Sequence, residues 1–181
     1  VPMALPQFYW LWAPTNFPDL SLFAHVNEDE TGAPWNSRAA LAMDGAGQGE
    51  VLHLKDEHFT IDWLPGTRHA RAARLDVTDP SGRQHLVSWT PIGQFQMKGI
   101  GYGHPEWNHG GWKGELAVAR EDFRPDALDP LLLPHLHVQT LCKARHEGGG
   151  AASDGIGIVE QLVIGPHAPS GFSGLNDGAN V

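Results

Sequence analysis

The chain has one cysteine, Cys142, among 181 residues, so no disulfide can form within it. Such a chain suits a reducing compartment, and a cytoplasmic location is the expectation. In the run LHVQTLCKA, Cys142 reads as a buried, inert thiol, since a nucleophile would need an electropositive setting. Basic side chains are also scarce. Twelve Lys and Arg stand against 21 Asp and Glu, a net charge of −9. Nucleic acids and anionic membrane surfaces attract a basic footprint, so neither is an expected partner. Nowhere do about 18 apolar residues run together, which argues against a membrane-spanning helix. No basic-then-apolar leader is expected either. GxxxxGK[ST] is missing, which removes a P-loop enzyme. GxSxG is missing too, and Ser170, in PSGFSG, falls in a stretch that reads as a tail.

Turn residues are plentiful, with 22 glycines and 14 prolines. A hydrophobic content of 41% still favours a folded core over disorder. The length fits one domain, taken as 1–170, with a frayed tail over 171–181. Short apolar or alternating runs recur between turns. The strand candidates are 7–13, 20–28, 35–43, 50–55, 58–64, 70–78, 83–89, 94–98, 112–119, 135–145 and 156–165. Segment 121–133 is the one place for a short helix. Ten or eleven strands without a βαβ rhythm predict an all-β fold, an antiparallel barrel or sandwich.

Chemistry-bearing side chains gather in GIGYGHPEWNHGGWKGE, residues 99–115. Its glycines allow close backbone approach to a ligand. Tyr102, Trp107 and Trp112 offer flat apolar walls, and His104 and His109 offer acid–base groups. The same segment also reads as a plug of the barrel end. His135 and His137 form an HxH pair; on a strand they would share one face, either toward solvent or as ligands of a metal. The cupin pattern fails here, because Asp129 stands where Gly is needed and Leu141 and Cys142 where Glu is needed. No metal and no cofactor is expected. Glu160 lies in the apolar run GIGIVEQLVIG. Alternation puts it on one face with Ile158 and Leu162, suggesting a carboxylate turned toward a pocket, or else an ion pair to Arg68 or Arg145. His167, after Gly165-Pro166, falls at a barrel mouth. Arg68, Arg71 and Arg74 alternate faces, so they make no basic stripe.

The stretches FYWLWAP, DWLPGTRHARAARL, GIGYGHPEWNHGGWKGELAV and GIVEQLVIGPHAPSGF resemble the AttH-like group, which includes carotenoid 1,2-hydratase (hydroxyneurosporene synthase). The resemblance covers nearly the whole chain and is nearest to the second of two tandem lipocalin-like barrels. It implies a large, mostly apolar ligand of isoprenoid or aromatic type, acted on by acid–base hydration, isomerisation or cyclisation. Glu160, His104 and His109 would then be the catalytic groups, with Tyr102, Trp107, Trp112 and His167 against the ligand. Two other readings stand beside it: a carrier without chemistry, and a half-module completed by a second barrel or a homodimer through FYWLW.

Overall fold

The computed structural model describes residues 7–43, 49–96, 106, 111–120 and 122–180. Ten strands form one antiparallel sheet: β1 (Phe8–Trp12), β2 (Thr15–Asn16), β3 (Leu20–Glu28), β4 (Pro34–Met43), β5 (Val51–His53), β6 (Lys55–Trp63), β7 (Ala70–Thr78), β8 (Gln84–Gln96), β9 (Val138–Gly148) and β10 (Ala151–Ile164). The hydrogen-bonded path runs β5-β4-β3-β1-β10-β9-β8-β7-β6. Chain neighbours are therefore mostly sheet neighbours, and the first long strand pairs with the last. The two ends of the path, β5 and β6, are joined through Leu54, whose N–H bonds the Ala39 carbonyl at 2.9 Å. A register shift between Lys55 and His58, with Asp56 at φ 57°, turns the chain there. The sheet thus curls into a ring, the all-β antiparallel fold that the strand spacing predicts.

Period-two alternation decides which residues fill the ring. In β9, Val138, Thr140, Cys142, Ala144 and His146 are buried, and the residues between them face outward. Leu22, Leu41, Leu75, Val87, Trp89 and Val159 join Cys142 and Ala144 in one cluster. Trp89 is the largest buried side chain; its indole N–H donates to Thr15 Oγ1 at 2.8 Å, and its ring stacks on Phe59. Cys142 is buried, and burial pushes its thiol up to about 11, so the inert reading holds.

Glycines act at two places. Gly149 and Gly150, both at positive φ, make the tight turn that lets β10 pair with the whole length of β9. At Gly157 a Cβ would lie 2.2 Å from Thr15 Oγ1, so the crossing of β2 over β10 needs a bare backbone there.

Four expectations change. Segment 112–119 alternates but forms no strand among the described residues; it is exposed coil, with Leu116 and Val118 in solvent. Run 83–89 and the described part of 94–98 join in β8, because a bulge between Pro91 and Gly93 absorbs the residues that looked like a break. Among the described residues of 121–133 the expected helix is replaced by the 3-10 turn Pro125–Ala127, and a second such turn, Leu133–His135, begins at its end. Finally, 171–180 is tied down rather than frayed. The buried Arg68 guanidinium donates to the carbonyls of Gly165, Gly174 and Asp177 and to the Asp177 carboxylate at 2.6 Å, and it lies over the Phe172 ring. Gly66 and Thr67 also exchange backbone bonds with Ala179. Arg71 and Arg74 do not alternate faces: both are exposed and pair with Asp62 and Asp76 at the surface.

Candidate functional site

In β10 the inward positions are Val159, Gln161 and Val163, all essentially buried. Ile158, Glu160 and Leu162 share a face, as alternation requires, but that face is the outer one. Both faces of this run are apolar in sequence, so sequence could not tell inside from outside. Gln161 takes the inner position, accepting from the Ala70 N–H at 2.7 Å and donating to Thr140 Oγ1 at 3.0 Å.

On the outer face, register sets Glu160 opposite Trp12 of β1 and Gln139 of β9. Three donors converge on its carboxylate. Gln139 Nε2 reaches Oε2 at 2.7 Å, while Trp10 Nε1 and His137 Nε2 reach Oε1 at 3.1 Å each. Burial pushes the Glu160 carboxyl up, but the bonds from His137, Gln139 and Trp10 outweigh it and hold it below its ordinary range. Neither of the expected ion pairs forms: Arg68 goes to Asp177, and Arg145 to Glu147 and Asp154. Phe8, Trp10, Asn27, His137, Glu160 and Leu162 line a cleft of about 250 Å³. His25 stacks on Trp10 at its edge, 5.6 Å between ring centres. The arrangement is an ionised carboxylate beside an imidazole, walled by aromatic and aliphatic side chains.

The HxH pair separates. His135 ends a 3-10 turn rather than sitting on a strand, and it is buried, with Nδ1 against the Asp129 carbonyl at 2.6 Å. His137 turns to Glu160 instead. The two therefore share neither a strand face nor a solvent-facing role. Among the described residues no group of three or more His, Cys, Asp and Glu is placed to hold a metal.

Of the other candidates, Tyr102, His104, Trp107 and His109 lie outside the described residues. Trp112 is 80% exposed and is not part of the lining of the Glu160 cleft. His167 is buried at the end of the ring where β10 leaves the sheet. Its Nε2 meets Glu28 Oε2 and its Nδ1 meets Ser170 Oγ, each at 2.8 Å, and Tyr9 stacks on its ring at 4.0 Å. Burial, and then the Glu28 charge, push the Tyr9 phenol far up, so it stays neutral.

A second imidazole cluster closes the opposite end. His85 Nδ1 lies 2.9 Å from His146 Nε2, and His85 Nε2 lies 3.3 Å from Asp79 Oδ2, with all three buried. Asp79 also accepts from the Ser81 hydroxyl and from the Ser81 and Arg83 N–H groups. These bonds hold its carboxyl far below its usual range against a smaller opposing effect of burial. Burial, then the neighbouring His85, lower the His146 pKa. Sequence reasoning missed this cluster because His85 and His146 are 61 residues apart and neither sits in a motif.

No curated protein and no solved structure matches the chain. The model of a family of unknown function, DUF8625, matches residues 2–173, and the chain belongs to that family.

Proposed function

We propose that the protein binds a mostly apolar small molecule at the outer-face cleft of β1 and β10, with Glu160 as its polar anchor. The observation that carries this reading is the half-buried, ionised carboxylate set among Phe8, Trp10 and Leu162. A charge is costly in such a setting unless it is paired, and a ligand hydroxyl or ammonium suits the position. The ring interior is packed by the Trp89 cluster, so the described inner face leaves the ligand to the outside. At about 250 Å³ the cleft is smaller than the roughly 300–1,000 Å³ of usual small-molecule pockets, and it fits one end of an extended molecule. The resemblance of four stretches to the carotenoid 1,2-hydratase group supports an isoprenoid as that molecule.

Catalysis is the second reading, favoured by the 3.1 Å contact between His137 and Glu160. An ionised Glu160 is the wrong form to protonate an alkene directly. It suits proton abstraction, or orientation of His137, so isomerisation agrees with the site better than acid-driven hydration. Titration with geranylgeraniol, followed by calorimetry and product analysis, tests both readings. Saturable binding that Trp10→Ala weakens at least tenfold supports the cleft. Absence of binding overturns it. Conversion that Glu160→Gln abolishes while binding persists marks an enzyme; an unaltered ligand marks a carrier.

A further inference from the structure

We propose that Ser170 is a nucleophilic serine, activated by His167 and Glu28, that takes up the acyl group of a neutral ester. The site is separate from the Glu160 cleft and does not depend on it. Glu28 and His167 are 139 residues apart in sequence, and the bulge between Asn27 and Glu28 in β3 places this carboxylate against the ring. An ionised carboxylate can only accept, so the imidazole proton sits on Nε2, at 2.8 Å from Glu28. Nδ1 is then the acceptor, and the Ser170 hydroxyl donates to it at 2.8 Å. The hydroxyl–imidazole–carboxylate order is the one that raises serine nucleophilicity. The Tyr9 ring at 4.0 Å fixes the imidazole plane, and His167 itself is buried. Ser170 itself is partly exposed on a 3-10 turn that ends at Gly171 with φ 72°.

The substrate class follows from the surroundings. Asp29 and Glu30 lie on the adjoining β3–β4 turn, where the Ala168 N–H binds the Glu30 carbonyl. Two carboxylates there disfavour an anionic substrate, so the ester is uncharged. In the step, Ser170 Oγ bonds to the ester carbonyl carbon and its proton passes to His167 Nδ1. The ester C–O bond then breaks, and the alcohol leaves with that proton, giving an acyl-Ser170. The N–H groups of Ser170, Gly171 and Phe172 are committed to the Ala168 and His167 carbonyls. Each missing oxyanion donor costs about 10²–10³ in rate, so acylation is expected with slow turnover.

Diisopropyl fluorophosphate tests the assignment on the full chain. The phosphorus bonds to Ser170 Oγ, and fluoride departs with the proton. A single adduct, mapped to Ser170 by peptide mass spectrometry and lost in Ser170→Ala, is the expected result. Glu28→Gln keeps the side-chain shape but can donate to Nε2, which reverses the tautomer and leaves Nδ1 unable to accept. Its labelling rate should fall at least tenfold while its melting temperature stays within a few degrees. No adduct, an adduct elsewhere, or an unchanged rate in a folded Glu28→Gln variant overturns the proposal. Such a result leaves Ser170 as a turn-closing partner of His167.

Discussion

Replacing Arg68 with Met keeps the aliphatic stem but removes every donor from a site that excludes water. The guanidinium is wholly buried and holds five hydrogen bonds, two of them to the buried carbonyls of Val163 and Gly165. Each buried acceptor left unsatisfied costs about 1–3 kcal/mol, and removing one partner of a buried ion pair costs about 3–5 kcal/mol. The Val163 contact, at 3.4 Å, is long and adds little. The Asp177 carboxylate is 37% exposed and keeps its bonds from the Ser173 and Gly174 N–H groups, so it can be rehydrated. The expected loss for Arg68→Met is therefore about 3–5 kcal/mol, or roughly 6–20 °C in melting temperature for a chain of this size. Asp177→Asn should cost less, about 1–3 kcal/mol: the buried guanidinium loses its counter-charge but keeps the carbonyl acceptors of Gly165, Gly174 and residue 177. Urea unfolding of both variants, followed by tryptophan fluorescence, measures the asymmetry. A loss below about 1 kcal/mol for Arg68→Met, or equal losses for the two variants, would refute the view that Arg68 anchors segment 171–180.

Three further outcomes follow from the same geometry. The His146 pKa is lowered on folding, mainly by burial, so its contribution to stability is complete above about pH 6.5. That contribution falls as the pH drops below this value and the unfolded chain takes up the proton; His146→Gln should flatten the decline of melting temperature between pH 7 and 5. Gly148→Ala should destabilise by about 1–3 kcal/mol in urea titrations, since its Cβ would lie 2.3 Å from His85 Nδ1 and 3.0 Å from His146 Nε2. Trp89→Ala should cost about 3–5 kcal/mol by the same assay, while Arg71→Ala, an exposed pair with Asp62, should stay within about 0.5 kcal/mol.

The architecture was readable where alternation and turn chemistry agreed. Leu20–Glu28 and the glycines before Ala151 state a strand and a turn locally, while Ala70–Thr78, helix-like in its Ala and Arg content, is read as a strand from the turn DPSG that follows it. Residues 112–119 alternate as well as any real strand. What they lack among the described residues is a strand to pair with, which alternation cannot show. At Glu160 the parity was readable but the direction was not, because Ile158 and Leu162 are as apolar as Val159 and Val163. The trio of Glu28, His167 and Ser170 had no local signal, since a β-bulge and a turn far along the chain assemble it.

The ring is shut by β1 against β10, and Trp10 and Glu160 meet across 150 positions of sequence. During synthesis β1 and β3 are made early, and β1 keeps one edge without its partner until the last strand emerges. Such an edge is a template for pairing with other chains. A chain stopped before Ala151 would hold nearly all of its other strand pairings and still be an open sheet, with β1 and β9 as two sticky margins. Premature termination or slow elongation before the codons of β10 should therefore yield aggregates rather than a destabilised monomer, and the abundance of the folded protein should track how reliably translation passes them.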